Sequence, residues 1–150
     1  MNLKGISMKN ILITGGAGLV GTVLTQGLKD KYNVKILDIK KAEGVESHTG
    51  DISNLDSIMP AFKNIDTVVH LAGDRRVHGE WESILDNNII GLYNIYEAAR
   101  LSGVKRAIFA SSQHATGGFY DVEPYSFISK GEFEKLPNDY KPLDETCRIR

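Results

Sequence analysis

The stretch LITGGAGLVG, from Leu12 to Gly21, decides the fold of this chain. An apolar run just before the glycines predicts a buried β-strand over Asn10–Thr14. The apolar residues after the glycines recur at helical spacing and predict a helix over Leu19–Leu28; they are Val20, Val23, Leu24 and Leu28. The sequence therefore predicts a strand, a glycine-rich turn and a helix in immediate succession.

Three glycines in this stretch follow the spacing G-x-x-G-x-x-G, at Gly15, Gly18 and Gly21. In a turn between a strand and a helix, the first glycine permits the tight turn and the second lets the backbone approach a pyrophosphate. The third glycine allows close packing of helix on strand, and the helix N-terminus presents N–H groups to the phosphates. The pattern predicts a dinucleotide site; the alternative is a glycine-rich turn that holds no ligand.

Strands and helices alternate along the rest of the chain. Further strands are predicted over Asn33–Ile39, Val45–Asp51, Asp66–Gly73 and Arg106–Ser112. Because several of them are almost continuously apolar, we expect a parallel sheet covered by helices on both faces. The predicted fold class is therefore α/β, a Rossmann-type doubly wound parallel sheet with strand order 3-2-1-4-5.

Two more helices are predicted between these strands. One carries an apolar stripe from Leu55 to Phe62, and Pro60 should kink or shorten it. The other runs from Trp81 to Leu101 and ends at Gly103. Its predicted apolar stripe consists of Trp81, Ile84, Leu85, Ile89, Leu92, Ile95, Tyr96 and Ala99.

Asp38 ends the second predicted strand, 17 residues after Gly21. A carboxylate at this place accepts hydrogen bonds from the adenosine ribose and repels a 2′-phosphate, which favours NAD over NADP. Lys40 and Lys41 follow closely and would soften that repulsion. The alternative is a solvated turn aspartate.

Length and composition narrow the possible functions. The 150 residues fit one domain, and a net charge of −1 argues against nucleic-acid binding. We expect residues 1–8 to be an N-terminal extension, residues 9–118 to form the dinucleotide-binding domain, and residues 119–150 to form a loop or tail without clear periodicity. No apolar run is long enough for a membrane span.

Cysteine and histidine usage excludes two kinds of site. Cys147 is the single cysteine and has no partner for an internal disulfide, so we expect a reducing compartment, the cytoplasm. The four histidines do not follow metal-ligand spacing, so no metal is expected. Ser112 and His114 lack both a G-x-S-x-G elbow and an orienting carboxylate, which argues against a hydrolase.

The chain resembles extended short-chain dehydrogenases/reductases of the NAD-dependent epimerase/dehydratase family. The resemblance rests on ITGGAGLVG, GDI at residues 50–52, VVHLAG, and NNIIGLYNIYEAARLSGVKRAIFASS. WESILDNNIIGLYNIYEAAR followed by FASSQHATG is most similar to uronate dehydrogenases and related NAD-dependent sugar dehydrogenases. The resemblance covers residues 9–118 and implies hydride transfer from C1 of a uronate or aldose to NAD.

The resemblance also implies a role for each matching residue. The glycine loop with Leu19 and Val20 would hold the pyrophosphate and Asp38 the adenosine ribose. Asn88 would match the family asparagine on the long helix, and Ser112 the catalytic serine. The remaining implied contacts are Asp51 and Ile52 with the adenine, Leu71, Ala72 and Gly73 with the cofactor, and Gln113, His114 and Arg75 or Arg76 with the substrate.

In this family the serine works with a tyrosine and a lysine spaced Y-x-x-x-K. Tyr125 and Lys130 are five residues apart, which on a helix would separate their side chains by about 140°. We therefore expect the parent enzyme to be truncated before its catalytic helix and this chain to be inactive alone. A homodimer is possible, but half of the usual interface would be missing.

Three alternatives stay open from the sequence. A nucleotide-sugar epimerase or dehydratase would use the same scaffold and cofactor. A sensor would bind NAD without the catalytic pair. An inert fragment would fold poorly because one edge of its sheet lacks covering strands.

Overall fold

The computed structural model describes residues 8–76, 79–112 and 118–142. The chain divides into two units, Met1–Ala110 and Ser111–Arg150. This division lies earlier than residue 118, where the sequence analysis ended the dinucleotide-binding part, because the last strand of the first unit already ends at Phe109. The functional domain assignment itself stays a prediction.

The first unit contains one five-stranded sheet with strand order β3-β2-β1-β4-β5. All four neighbouring strand pairs are parallel. The predicted α/β class and strand order are therefore confirmed. The strands are β1 at Asn10–Thr14, β2 at Asn33–Asp38, β3 at Glu46–Thr49, β4 at Thr67–His70 and β5 at Arg106–Phe109.

Helices connect these strands. Helix α1 spans Leu19–Leu28, and α2 spans Leu55–Ile58 and continues as a 3₁₀ helix over Met59–Phe62. Pro60 lies in the first turn of that 3₁₀ segment, where its missing N–H costs least. The long predicted helix is α3 at Trp81–Ile84, a π-helical segment at Leu85–Ile90, and α4 at Gly91–Leu101.

Apolar clusters cover both faces of the sheet. Helix α1 contributes Leu24 and Leu28 to a cluster that contains Ile11, Ile13, Val34 and Val69. On the opposite face, α2 and α4 pack against strand residues in a cluster that includes Leu12, Leu37, Ile58, Phe62, Val68 and Ile95. The sheet is therefore doubly wound, as predicted. No helix in the described ranges is both long and apolar enough to cross a membrane.

The predicted buried faces of the two long helices are partly wrong. In α1, Val20 and Val23 are exposed, whereas Gly21 and Thr25 are buried. Close packing of the glycine loop on Gly21 turns that residue inward and rotates the valines outward. In the long helix the exposed residues of the predicted stripe are Trp81, Ile89 and Tyr96.

The π-helical segment explains the errors at Ile89 and Tyr96, whereas Trp81 begins α3, which has no buried residue. A π-helix has i→i+5 hydrogen bonds and therefore more residues per turn than an α-helix. A stripe drawn at constant α-helical spacing drifts off the buried face when it crosses Leu85–Ile90. Helix α4 taken alone keeps the expected spacing, with Gly91, Asn94, Ile95, Ala98 and Ala99 buried.

The second unit has a short helix, α5 at Tyr125–Ser129, and a 3₁₀ turn at Phe133–Lys135. The Tyr125 ring makes edge contacts with Phe119 and Tyr140, at centroid distances of 5.5 and 6.1 Å. The sequence predicted no regular element here, because a five-residue helix is too short to show a periodic pattern.

A buried polar pair joins β1 to β4 at their carboxyl ends. Thr14 Oγ1 lies 2.6 Å from His70 Nδ1 and also accepts a hydrogen bond from the Ala72 N–H at 3.3 Å. The His70 ring stacks on Phe109 at a centroid distance of 5.7 Å. Burial lowers the pKa of His70 to about 4, so the imidazole is neutral at pH 7.

The low pKa of His70 makes stability depend on pH. The unfolded chain binds a proton at this histidine below about pH 6.5, and the folded chain only below about pH 4. We expect the free energy of unfolding to fall by roughly 3 kcal/mol as the pH drops through this window. Urea unfolding between pH 7.5 and pH 4.5 measures the slope. His70→Gln should flatten this slope relative to the unmodified chain, and an unchanged slope in that variant would contradict the assignment.

Candidate functional site

The carboxyl ends of β1, β2 and β4 border a cavity of about 690 Å³ in the first unit. In parallel α/β sheets this end of the strands is where ligands bind. The cavity is lined by Gly15, Ala17, Gly18, Leu19, Val20, Gly21, Leu37, Asp38, Ile39, Lys40, Gly50, Ile52, Leu71, Ala72, Gly73, Asp74, Arg75, Arg76 and Asn87.

The glycine loop forms one side of the cavity and is held tightly by backbone contacts. Gly15 has φ +68°, and its N–H donates to the Leu37 carbonyl at 2.8 Å. A Cβ on Gly15 would lie 2.8 Å from the Ala72 nitrogen, and one on Gly21 would lie 2.5 Å from the Gly15 oxygen. Both positions therefore exclude a side chain, which keeps the cavity wall a bare backbone.

The N-terminus of α1 is open toward a ligand. Its N-cap is Gly18, which offers no side-chain acceptor, and the first turn contains no acidic residue. The first-turn residues Leu19, Val20 and Gly21 line the cavity. The N–H groups and the positive end of the helix dipole together make this wall suited to an anion such as a pyrophosphate.

Asp38 stands across the loop at the end of β2. Its Oδ2 accepts a hydrogen bond from the Ala17 N–H at 3.0 Å, and its Oδ1 accepts one from the Lys40 N–H at 3.0 Å. The carboxylate is thus oriented by two backbone donors, and its remaining lone pairs can accept from a ligand hydroxyl. Lys40 also lines the cavity, so a cation adjoins this carboxylate.

Asn88 fixes the segment that follows β4. Its Oδ1 accepts from the Asp74 N–H at 2.6 Å, and its Nδ2 donates to the Asp74 carbonyl at 2.9 Å. Asn88 itself does not line the cavity, whereas its neighbour Asn87 does. Asn88 therefore holds the cavity wall from behind, by tying the long helix to the strand end.

A charged pair lies at the same end of the cavity. The Asp74 carboxylate accepts hydrogen bonds from the Arg76 side chain, from the Ser83 hydroxyl at 2.6 Å and from the Arg76 N–H at 3.0 Å. These donors, with the Arg76 guanidinium first, hold the pKa of Asp74 well below its usual range. The positive charge of Arg76 is therefore balanced by the Asp74 carboxylate. Arg75 is exposed and also lines the cavity.

The structure groups most of the sequence-predicted cofactor residues around this cavity. Asp51 does not line it; the Asp51 Oδ1 accepts from the Ser53 N–H at 2.9 Å and from the Ser53 hydroxyl at 2.8 Å. Ser112 is an exposed residue of the second unit. Gln113 and His114 lie outside the described residues.

Several lining residues were missed by the sequence analysis. Leu37 and Ile39 flank Asp38 and follow from its position, and Asn87 directly precedes Asn88 in the same NN pair. Ala17 lies inside the glycine-rich stretch and Gly50 begins the GDI motif, so both could have been found from the motifs that contain them. In the described part of the chain, no three His, Cys, Asp or Glu side chains form a group that could hold a metal ion.

Two glycines of α1 provide a matched test of the loop packing. Gly21→Ala places a Cβ against backbone atoms of Gly15 and Gly16 at 2.5 Å, so the loop must shift. We expect the free energy of unfolding to fall by about 1–3 kcal/mol. Gly27 lies in the same helix, and a Cβ there would meet no atom within 4 Å. Gly27→Ala should therefore raise the free energy of unfolding by about 0.5–1 kcal/mol. Urea unfolding compares the two variants, and similar effects would contradict the close approach.

Comparison with known proteins gives this geometry a context. Uronate dehydrogenase of Pseudomonas putida is 40% identical over 73% of this chain and 42% of its own length. L-arabinose 1-dehydrogenase (NAD(P)(+)) of Haloferax volcanii is 37% identical over 71% of this chain and 42% of its own length. This chain therefore matches less than half of the length of these two curated relatives.

A solved structure and a protein family match as well. The crystal structure of a uronate dehydrogenase mutant from Agrobacterium tumefaciens complexed with NAD has a TM-score of 0.66 and 36% identity. That match covers 72% of this chain and 42% of the other. Residues 11–140 match the NAD dependent epimerase/dehydratase family. The resemblance inferred from the sequence motifs is thus confirmed, and the chain belongs to the NAD dependent epimerase/dehydratase family.

Proposed function

We propose that this chain is the dinucleotide-binding part of an NAD-dependent sugar oxidoreductase that transfers hydride from C1 of a uronate or an aldose. The observation that carries the proposal is one cavity bordered by both the uncapped N-terminus of α1 and the oriented Asp38 carboxylate. The first suits a pyrophosphate and the second a ribose. The similarity to uronate and arabinose dehydrogenases supports the sugar substrate.

The residues present fit NAD, which would supply the hydride acceptor when bound. Gly15, Gly18 and Gly21 leave the loop without side chains, so a pyrophosphate can approach its N–H groups, next to Leu19 and Val20. Asp38 would accept from the adenosine ribose. Ile52, which lines the cavity, would flank the adenine, and Asp51, which lies outside the lining, is proposed as a second flanking residue from the family resemblance alone. Leu71, Ala72 and Gly73 would border the cofactor beyond β4, and Asn88 would hold that border through Asp74.

Substrate contacts are proposed from the family resemblance and from charge. Ser112 would hydrogen-bond the reacting oxygen of the sugar, and Gln113 and His114 would contact the same substrate. Arg75 is the better candidate for an acidic sugar group, because Arg76 is paired with Asp74.

Assembly and location are also proposals. Ile89, Tyr93 and Tyr96 are exposed on the long helix and would suit the apolar interface of a homodimer. A cytoplasmic location is proposed from the single cysteine, Cys147.

Cofactor binding is the first test. We expect NAD⁺ to bind the chain and to stabilise it by about 2.7 kcal/mol at a concentration of 100 times its Kd. Isothermal titration calorimetry and a thermal-shift series measure both effects. Gly27→Ala should bind NAD⁺ as the unmodified chain does, and Gly21→Ala should bind it much more weakly. If the folded chain shows no binding at millimolar NAD⁺, the proposal is wrong.

The charges beside the ribose give a second test. We expect NADP⁺ to bind about tenfold more weakly than NAD⁺, because Asp38 repels the 2′-phosphate. Asp38→Asn should remove most of this difference by weakening NAD⁺ and strengthening NADP⁺. Lys40→Gln should enlarge the difference by weakening NADP⁺ alone. Titrations of both cofactors decide the matter, and equal affinities in the unmodified chain would argue against the role of Asp38.

The family name also covers epimerases, which would use the same cavity. A full-length protein that carries this chain separates the two reactions. A dehydrogenase produces NADH when it is given a uronate or an aldose. An epimerase inverts the configuration of one carbon of a nucleotide sugar and produces no net NADH. An NAD-binding sensor does neither.

A further inference from the structure

Asn94 is a buried polar residue on the core-facing side of α4, with 7% of its surface exposed. Its Nδ2 donates to the carbonyl oxygen of Ile52 at 2.8 Å, across 42 residues of sequence. A buried side-chain amide is costly without a partner, and so is a buried carbonyl. The hydrogen bond therefore satisfies both groups and ties α4 to the turn that follows β3.

Gly91 lies one helical turn before Asn94 and also faces Ile52. A Cβ on Gly91 would lie 2.6 Å from Cδ1 and 2.7 Å from Cγ1 of Ile52. The absence of that Cβ lets the helix come close enough for the Ile52 side chain to pack against its backbone. Gly91 and Asn94 together hold Ile52, one through its side chain and the other through its carbonyl.

Ile52 is itself part of the cavity wall, beside Asp38 and Gly50. The Gly50 N–H donates to the Asp38 carbonyl at 3.0 Å, so the end of β3 is joined to the end of β2. The proposed function places the adenosine ribose at Asp38 and the adenine beside Ile52, which is on the β3 side of Asp38. The apolar Ile52 side chain, which is 6% exposed, would give that base a nonpolar contact at the cavity wall.

We infer that Asn94 is a positioning residue for the adenine of the bound dinucleotide, acting through Ile52 and without contacting the ligand. This inference rests on the proposed dinucleotide-binding function. The Asp51 end of the turn is held separately by Ser57, whose Oγ donates to the Asp51 carbonyl at 2.8 Å. Removing the Asn94 amide would therefore free the Ile52 carbonyl while the start of the turn stays in place.

The test compares ligands that contain adenine with one that does not. Asn94→Leu keeps the branched shape and the number of side-chain heavy atoms and removes the donor. We expect the affinity for NAD⁺ and for AMP to fall by about tenfold in this variant, as measured by isothermal titration calorimetry on the whole chain. The affinity for inorganic pyrophosphate, which needs only the glycine loop, should stay unchanged. A role limited to general stability would not separate AMP from pyrophosphate in this way.

A control on the same helix accounts for lost stability. Ala98→Gly weakens α4 at a buried position one turn beyond Asn94 and should leave all three affinities unchanged. If Asn94→Leu does not fold, Asn94→Ser replaces it, with a smaller loss and the same contrast between AMP and pyrophosphate. Unchanged AMP affinity, or an equal loss for pyrophosphate, overturns this inference alone. Failure of the unmodified chain to bind NAD⁺ defeats the proposed function as well.

Discussion

The contact between Gly21 and the backbone of Gly15 and Gly16 is the constraint on which the rest of the site depends. It brings the first turn of α1 against the end of β1, so the unpaired N–H groups of that turn face the cavity. It also rotates α1 so that Leu24 and Leu28 reach the sheet while Val20 and Val23 remain exposed. One backbone approach thus sets both the anion-binding wall and the packing of one face of the sheet.

Elsewhere around the cavity, polar side chains rather than glycines hold the wall in place. Asn88 hydrogen-bonds both the N–H and the carbonyl of Asp74, and Asn94 donates a hydrogen bond to the carbonyl of Ile52. Neither asparagine lines the cavity, yet each holds a residue that does. The glycine loop therefore forms one wall of the cavity with bare backbone, and the side-chain amides of Asn88 and Asn94 hold other parts of the wall from outside the cavity.

Much of this arrangement could be predicted from the sequence. The glycine loop and the place of Asp38 follow from local patterns, because each depends on a few neighbouring residues, and the strand order follows from the handedness of the connections between parallel strands. The exposed side of the long helix could not be predicted, since the π-helical turns at Leu85–Ile90 break the constant spacing that a stripe assumes. The contribution of Asn94 was missed because its partner, Ile52, is distant in sequence and carries no motif that pairs the two.

The π-helical segment also fixes a distance. Asn88 lies within it and Asn94 lies after it, so one continuous helix carries two attachment points about 9 Å apart along its axis, each gripping a different border of the cavity. Their angular offset depends on the wider turns between them. Shortening that segment by one residue would swing one attachment point about 100° around the axis, away from its border. The helix thus sets the relative positions of Asp74 and Ile52 at two borders of the cavity. The π-helical turns determine the angle between the two asparagines that hold them.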